Sequence, residues 1–156
     1  MKVSTPPLSL AHRRVVVVGL GRSGLAACRL LAKEGANVVA TDSKSAASDV
    51  AAHETLAREG VTFVLGGHQD ARLSEADLIV VSPGGPTFAA LEDAERAGVP
   101  IWGEVELAVR TVNARSLAAG RETPRLVAIG GTNGKSTVTS LVGALLARSG
   151  RSTFVG

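Results

Sequence analysis

Two glycine-rich runs and one short proline–glycine turn hold most of the residues in this chain that could do chemistry. The run with the more specific chemistry is GGTNGKST, Gly130–Thr137. Gly131, Thr132, Asn133 and Gly134 can turn backbone N–H groups toward an anion, and the helix that follows adds the positive end of its dipole. Lys135 would then reach the terminal phosphates as the candidate catalytic charge. The Ser136 hydroxyl suits Mg²⁺, and Thr137 closes the loop against the helix. The general pattern G-x-x-x-x-G-K-[ST] asks for a glycine where Ile129 stands, so what is present is the shorter G-T-N-G-K-S-T that begins at Gly131. The flanks support the reading. Val127–Ile129 reads as a short buried strand, and Val138, Leu141, Val142 and Leu145 recur at the period of a core-facing helix. Strand, loop and helix in this order imply an ATP site.

The second run is GLGRSG, in which Gly19, Gly21 and Gly24 satisfy G-x-G-x-x-G around Arg22 and Ser23. It follows the unbroken valines Val15–Val18, a strand buried on both faces. A helix is expected from about Ser23 to Gly35, and a second strand over Asn37–Thr41 ends at Asp42. That order and spacing form a dinucleotide-fold fingerprint, in which the acid after the second strand contacts ribose or base. Asp42, Ser43 and Lys44 are therefore candidates, although Lys44 fits a solvated loop equally well. The short turn is SPGGP, with Ser82, Pro83 and Gly84 at the end of a later strand.

Around these runs the chain reads as helix Ala46–Glu59, strand Val61–Leu65, strand Ala76–Val81, a helix from Phe88 to Gly98, strand Val99–Trp102 and helix Gly103–Val112. Strands alternating with helices imply an α/β fold, a Rossmann-like doubly wound parallel sheet of about five strands. An order of 3-2-1-4-5 would put a crevice between strands one and four, with Gly19–Gly24 facing Ser82–Pro86 across it. Two glycine-rich turns on opposite sides of one crevice suit a diphosphate. Residues 1–112 are read as this domain and the polar stretch 113–124 as a linker. Residues 125–156 read as the first strand, phosphate loop and helix of a second α/β domain, cut short and expected to be inactive alone.

The chain has 156 residues, enough for one full core. Its one cysteine, Cys28, offers no disulfide framework or cysteine zinc site. No apolar run approaches membrane-spanning length, and Met1–Arg14 lacks the apolar region of a signal peptide, which together point to the cytoplasm. The net charge of +3 comes from scattered arginines without an aromatic platform, which argues against nucleic acid. His12, His53 and His68 are dispersed and suggest no metal cluster. Glu104 and Glu106 stand two apart on a helix and do not face each other, so they are not read as a catalytic pair.

GTNGKST resembles the ATP loop of the Mur ligases, which add amino acids to the nucleotide-linked muramoyl precursor of peptidoglycan. The Ser-Thr pair after the lysine is similar to the D-glutamate-adding branch. GLGRSG, Asp42-Ser43-Lys44, SPG and WGEVELA (Trp102–Ala108) extend the resemblance over nearly the whole chain. It implies that the glycine turn, Asp42, Ser43, Lys44 and Gly84 surround the UDP part of UDP-N-acetylmuramoyl-L-alanine. It also implies ATP and Mg²⁺ as cofactors, D-glutamate as second substrate, and amide formation through an acyl phosphate. Alternatives from the residues are an L-alanine-adding Mur ligase, an NAD-dependent oxidoreductase, which leaves GTNGKST unexplained, and a non-catalytic nucleotide-sensing module. The unmatched apolar face of the last helix leaves self-association open.

Overall fold

The computed structural model describes residues 9–45, 49–82 and 87–155. The chain divides into two compact units, Met1–Thr123 and Pro124–Gly156. In the first, strands β1 (Arg14–Val18), β2 (Asn37–Asp42), β3 (Thr62–Leu65), β4 (Leu78–Val81) and β5 (Ile101–Gly103) form one sheet. All pairs are parallel, and the order is β3-β2-β1-β4-β5, as expected.

The valine run explains why β1 is central. Val15, Val16 and Val17 are wholly buried, and alternation sends their side chains to opposite faces. Val15 and Val17 join Leu25, Cys28 and Leu31 of α1 (Arg22–Lys33), Leu56 of α2 (Val50–Arg58) and Leu107 of α4 (Glu104–Ala118). Val16 joins Ile79, Leu73 and Ala94, the last on α3 (Ala89–Arg96). Each large apolar side chain so buried contributes about 1.5–3 kcal/mol. Burial also pushes the Cys28 thiol up to about 12, which makes it an inert core residue.

Several boundaries differ from the sequence reading. The structure starts α2 at Val50, not Ala46, because the Asp49 carboxylate caps it, accepting from Ala52 N at 3.0 Å. Ala46, Ala47 and Ser48 lie outside the described residues. Two 3₁₀ turns, Gln69–Ala71 and Leu73–Glu75, occupy the approach to β4, which begins at Leu78 and not Ala76. The last helix of the unit continues past Val112 to Ala118. Its polar end, NARSLA, is built of residues without a helix breaker until Gly120, and Arg115 Nε donates to Glu34 Oε1 on α1 at 2.7 Å. Half of the stretch read as linker is therefore helix.

The second unit holds α5 (Lys135–Arg148). Val127–Ile129 forms no ladder among the described residues, and Val127 is 59% exposed. A strand needs a neighbour for its N–H and C=O groups, and none is present in this unit. The same holds for residues 152–155. The face of α5 read as core-facing is open, with Leu141 and Leu145 59% and 60% exposed. Gly143 is its buried residue, where a Cβ would fall 2.3 Å from Val155 Cγ2, so the absent side chain lets the end of the chain lie on the helix. Isolated helices of this length are marginal in water. Amide exchange along Lys135–Arg148 is accordingly expected to be orders of magnitude faster than on β1. Strong protection through α5 in the monomer would contradict that expectation.

Candidate functional site

Three glycines shape the turn after β1, each for a different reason. Gly19 has φ +91°, donates its N–H to Thr41 O at 2.9 Å, and would place a Cβ 3.0 Å from Ser82 Cβ. A side chain at Gly19 would thus crowd Ser82 at the end of β4. At Gly24 a Cβ would fall 1.9 Å from Gly19 O, so only glycine lets α1 start this close to the turn. Gly21 is different: its φ of −68° suits any residue, and among the described residues a Cβ there would meet nothing within 4 Å. None of the described residues requires glycine at this position. It is the N-cap of α1 and carries no side-chain cap, so no described side chain covers the unpaired first amides of the helix. Arg22 and Ser23 are exposed beside it.

Asp42 organises this edge. Its Oδ2 accepts from Leu20 N at 2.8 Å and its Oδ1 from Lys44 N at 2.9 Å. Burial raises the Asp42 pKa, but these two backbone donors, with the charges of Lys44 and His68, outweigh it and hold the carboxyl below its ordinary value. Both oxygens therefore serve the main chain, tying the glycine turn to the end of β2. Ser43 and Lys44 are exposed beside it. Pro83 and Gly84 lie outside the described residues.

His68 packs over the same edge, a placement that its dispersal in sequence conceals. Thr41 Oγ1 donates to Gly67 O at 3.0 Å and lies 3.0 Å from His68 Nδ1. With its single proton on Gly67, Thr41 accepts from His68, which fixes the Nδ1–H form of the ring. The ring stacks on Phe88, the residue before α3, with centroids 4.3 Å apart. Burial lowers the His68 pKa, opposed by the Asp42 charge. Both shifts predict acid destabilisation. Below the ordinary histidine value of 6.5, the unfolded chain takes up a proton that folded His68 resists, so stability falls as pH drops. Below 3.8, Asp42 adds a second loss as pH falls through its lowered value. The unfolding midpoint should decline in both windows, and His68→Asn should remove only the first. A flat midpoint between about pH 6.5 and 5 would contradict this.

Across the crevice, Ser82 Oγ donates to Glu104 Oε1 at 2.7 Å and lies 3.4 Å from Ser23 Oγ. Glu106 instead takes Arg110 Nε at 2.9 Å, and that guanidinium covers the Trp102 ring. The two glutamates serve different partners. Sequence reasoning missed the contact of Glu104 with the crevice; the available signal was its place directly after β5, next to β4 in the strand order.

In the second unit, the phosphate-loop candidates Gly131, Thr132, Asn133, Gly134, Lys135, Ser136 and Thr137 lead directly into α5. Gly131 has φ +148° and Gly134, the N-cap, φ +77°, values that favour glycine. Lys135 Nζ folds back onto Gly131 O at 2.6 Å and Thr132 O at 3.3 Å. A cleft of about 460 Å³ adjoins it, lined by Ile129, Lys135, Ser136, Thr139, Ser140 and Val155.

Comparison with known proteins agrees with this arrangement. Residues 13–103 match the family described as Mur ligase MurD-like, N-terminal domain. UDP-N-acetylmuramoylalanine–D-glutamate ligases of Desulfosudis oleivorans and Anaeromyxobacter dehalogenans are 48% and 50% identical over 96% and 94% of this chain. The alignments cover 31% and 30% of those relatives, so the chain spans about a third of their length. A murein peptide ligase from Psychrobacter arcticus shares the fold at TM-score 0.54 and 20% identity, over 88% of this chain and 27% of that one. A pseudomurein peptide ligase from Methanothermus fervidus does so at TM-score 0.51 and 22% identity, over 89% of this chain and 27% of that one. With its parallel sheet, its three glycines of distinct duty and a match over more than half its length, the chain belongs to the MurD-like Mur ligases, and its residues 13–103 are their N-terminal domain.

Proposed function

We propose that this chain is the nucleotide-binding portion of an ATP-dependent ligase that joins D-glutamate to UDP-N-acetylmuramoyl-L-alanine. The observation that carries the reading is Gly21, a glycine that no described residue requires, at a helix N-terminus without a side-chain cap. The names of the relatives supply the substrate, and a cytoplasmic setting follows from that chemistry. Residues 1–112 bind the UDP substrate, with the diphosphate against Gly19, Gly21, Arg22, Ser23 and Gly24. Ser82 contacts the substrate from the end of β4, Pro83 and Gly84 are assigned to the same site by their place in the sequence, and Asp42, Ser43 and Lys44 contact the uridine.

The loop Gly131–Thr137 binds ATP. Its two positive-φ glycines expose backbone N–H groups, and Lys135 exchanges the carbonyls it now touches for phosphate oxygens. The residues suit Mg²⁺ as well: the Ser136 hydroxyl, beside Lys135 in the cleft, would hold it, and the bound ion would neutralise phosphate charge. In the reaction the substrate carboxylate takes the γ-phosphoryl group. The amine of D-glutamate then attacks the acyl carbon and phosphate leaves, while Lys135 stabilises the charge that develops on the transferring group. Calorimetric titration tests the first step. UDP is expected to bind and NAD to bind poorly; NAD tighter by about tenfold, a difference of about 1.4 kcal/mol, would overturn the ligase reading in favour of an oxidoreductase.

A further inference from the structure

We propose that Glu104 is a specificity-determining residue of the crevice, withholding the Ser82 proton from anions and so disfavouring a bare diphosphate. This rests on the uridine-nucleotide reading of the crevice given above. Ser82 stands at the end of β4, where the turn from β1 touches it through Gly19. A hydroxyl has one proton, and that of Ser82 lies on the half-buried Glu104 carboxylate at 2.7 Å. Toward Ser23 and the open side, Ser82 therefore offers lone pairs only. Phosphate oxygens are acceptors too, and gain nothing from such a group. The Glu104 charge stands one hydroxyl behind it, and among the described residues no Lys or Arg pairs with Glu104, since Arg110 is held by Glu106.

The two serines of the crevice are consequently unequal. Ser23, exposed in the first turn of α1, can rotate its proton to a phosphate, whereas Ser82 is an acceptor that suits a ligand hydroxyl or amide N–H. A nucleotide sugar carries such donors and pyrophosphate does not. The site thus admits a diphosphate where its sugar brings complementary groups, and resists the diphosphate alone.

The test is calorimetric titration of the whole chain with UDP and with pyrophosphate, using Ser23→Ala, Ser82→Ala, Glu104→Gln, Glu104→Ala and the double variant S82A/E104A. Glu104→Gln keeps the shape if the alanine variant unfolds, and ligand-free unfolding midpoints report on folding. Ser82→Ala is expected to cost UDP affinity less than Ser23→Ala, which should weaken it about fivefold or more. Both Glu104 variants should bind pyrophosphate about five- to tenfold more tightly and UDP by a smaller factor, narrowing the preference for the nucleotide, through lost repulsion and, in the alanine variant, a freed Ser82 proton. The double variant should then lose part of that gain. A merely structural role for Glu104 would lower the midpoint and weaken binding, the opposite sign. If UDP binds but Ser82→Ala weakens it as much as Ser23→Ala, or Glu104→Gln fails to tighten pyrophosphate more than UDP, this proposal falls and the ligase reading stands. If the unmodified chain binds no UDP at all, both fall.

Discussion

Replacing Gly21 with valine is expected to abolish UDP binding, lowering affinity by ~100-fold or more, about 2.7 kcal/mol, while the domain stays folded. The backbone at Gly21, φ −68° and ψ −175°, is extended and open to a β-branched residue, and no atom of the described residues lies within 4 Å of the new Cβ. The unfolding midpoint should therefore stay within a few degrees of the original. The side chain would instead fill the space before the first amides of α1, where the diphosphate must approach the backbone. Gly24→Ala makes the contrast. Its Cβ would fall 1.9 Å from Gly19 O, so this smaller change should damage folding itself. A Gly21→Val chain that bound UDP normally would show that the diphosphate does not sit at the N-terminus of α1.

Lys135→Ala, placed in a full-length ligase carrying this segment, is expected to lower kcat by ~10²-fold or more with little change in KM for the UDP substrate. The lysine acts on charge that grows only as the phosphoryl group transfers, so its removal falls on the transition state. The nucleotide substrate is proposed to meet the other unit, so its binding should be spared. In the present structure Lys135 Nζ rests on Gly131 O at 2.6 Å, a contact an incoming phosphate can replace. Steady-state kinetics with saturating ATP check this. Near-normal turnover would remove Lys135 from the chemistry, and a loss confined to KM for the UDP substrate would place it at the wrong ligand.

What the sequence revealed and what it hid divide along local and tertiary lines. The Val15–Val18 run, the spacing of Gly19, Gly21 and Gly24, and the acid at Asp42 are local signals that sufficed for a parallel α/β sheet, and the order β3-β2-β1-β4-β5, on which the crevice reading depends, is the one the structure has. The course of α4 beyond Val112 was hidden because polarity suggested a linker, while helix formers and the Glu34 contact sustain the helix. Val127–Ile129 carries a strand composition but has no partner strand, and a ladder cannot be read from one side of it. Glu104 looked like an N-terminal helical acid, a bland role that local sequence supports. Its bond to Ser82 joins residues that only the fold brings together. The bond from Leu20 N to Asp42 was hidden for the same reason: the fingerprint names a ribose or base partner for the acid, and only the fold brings Leu20 N to it.

Amide chemical-shift mapping of the isotopically labelled chain during titration with UDP locates the bound nucleotide. Saturable shifts are expected at Gly19–Gly24, at Asp42–Lys44 and at Ser82, with the loop Gly131–Thr137 unmoved until ATP is added. Shifts confined to Gly131–Thr137 on adding UDP, or none in the Gly19–Gly24 turn at millimolar nucleotide, would contradict that placement.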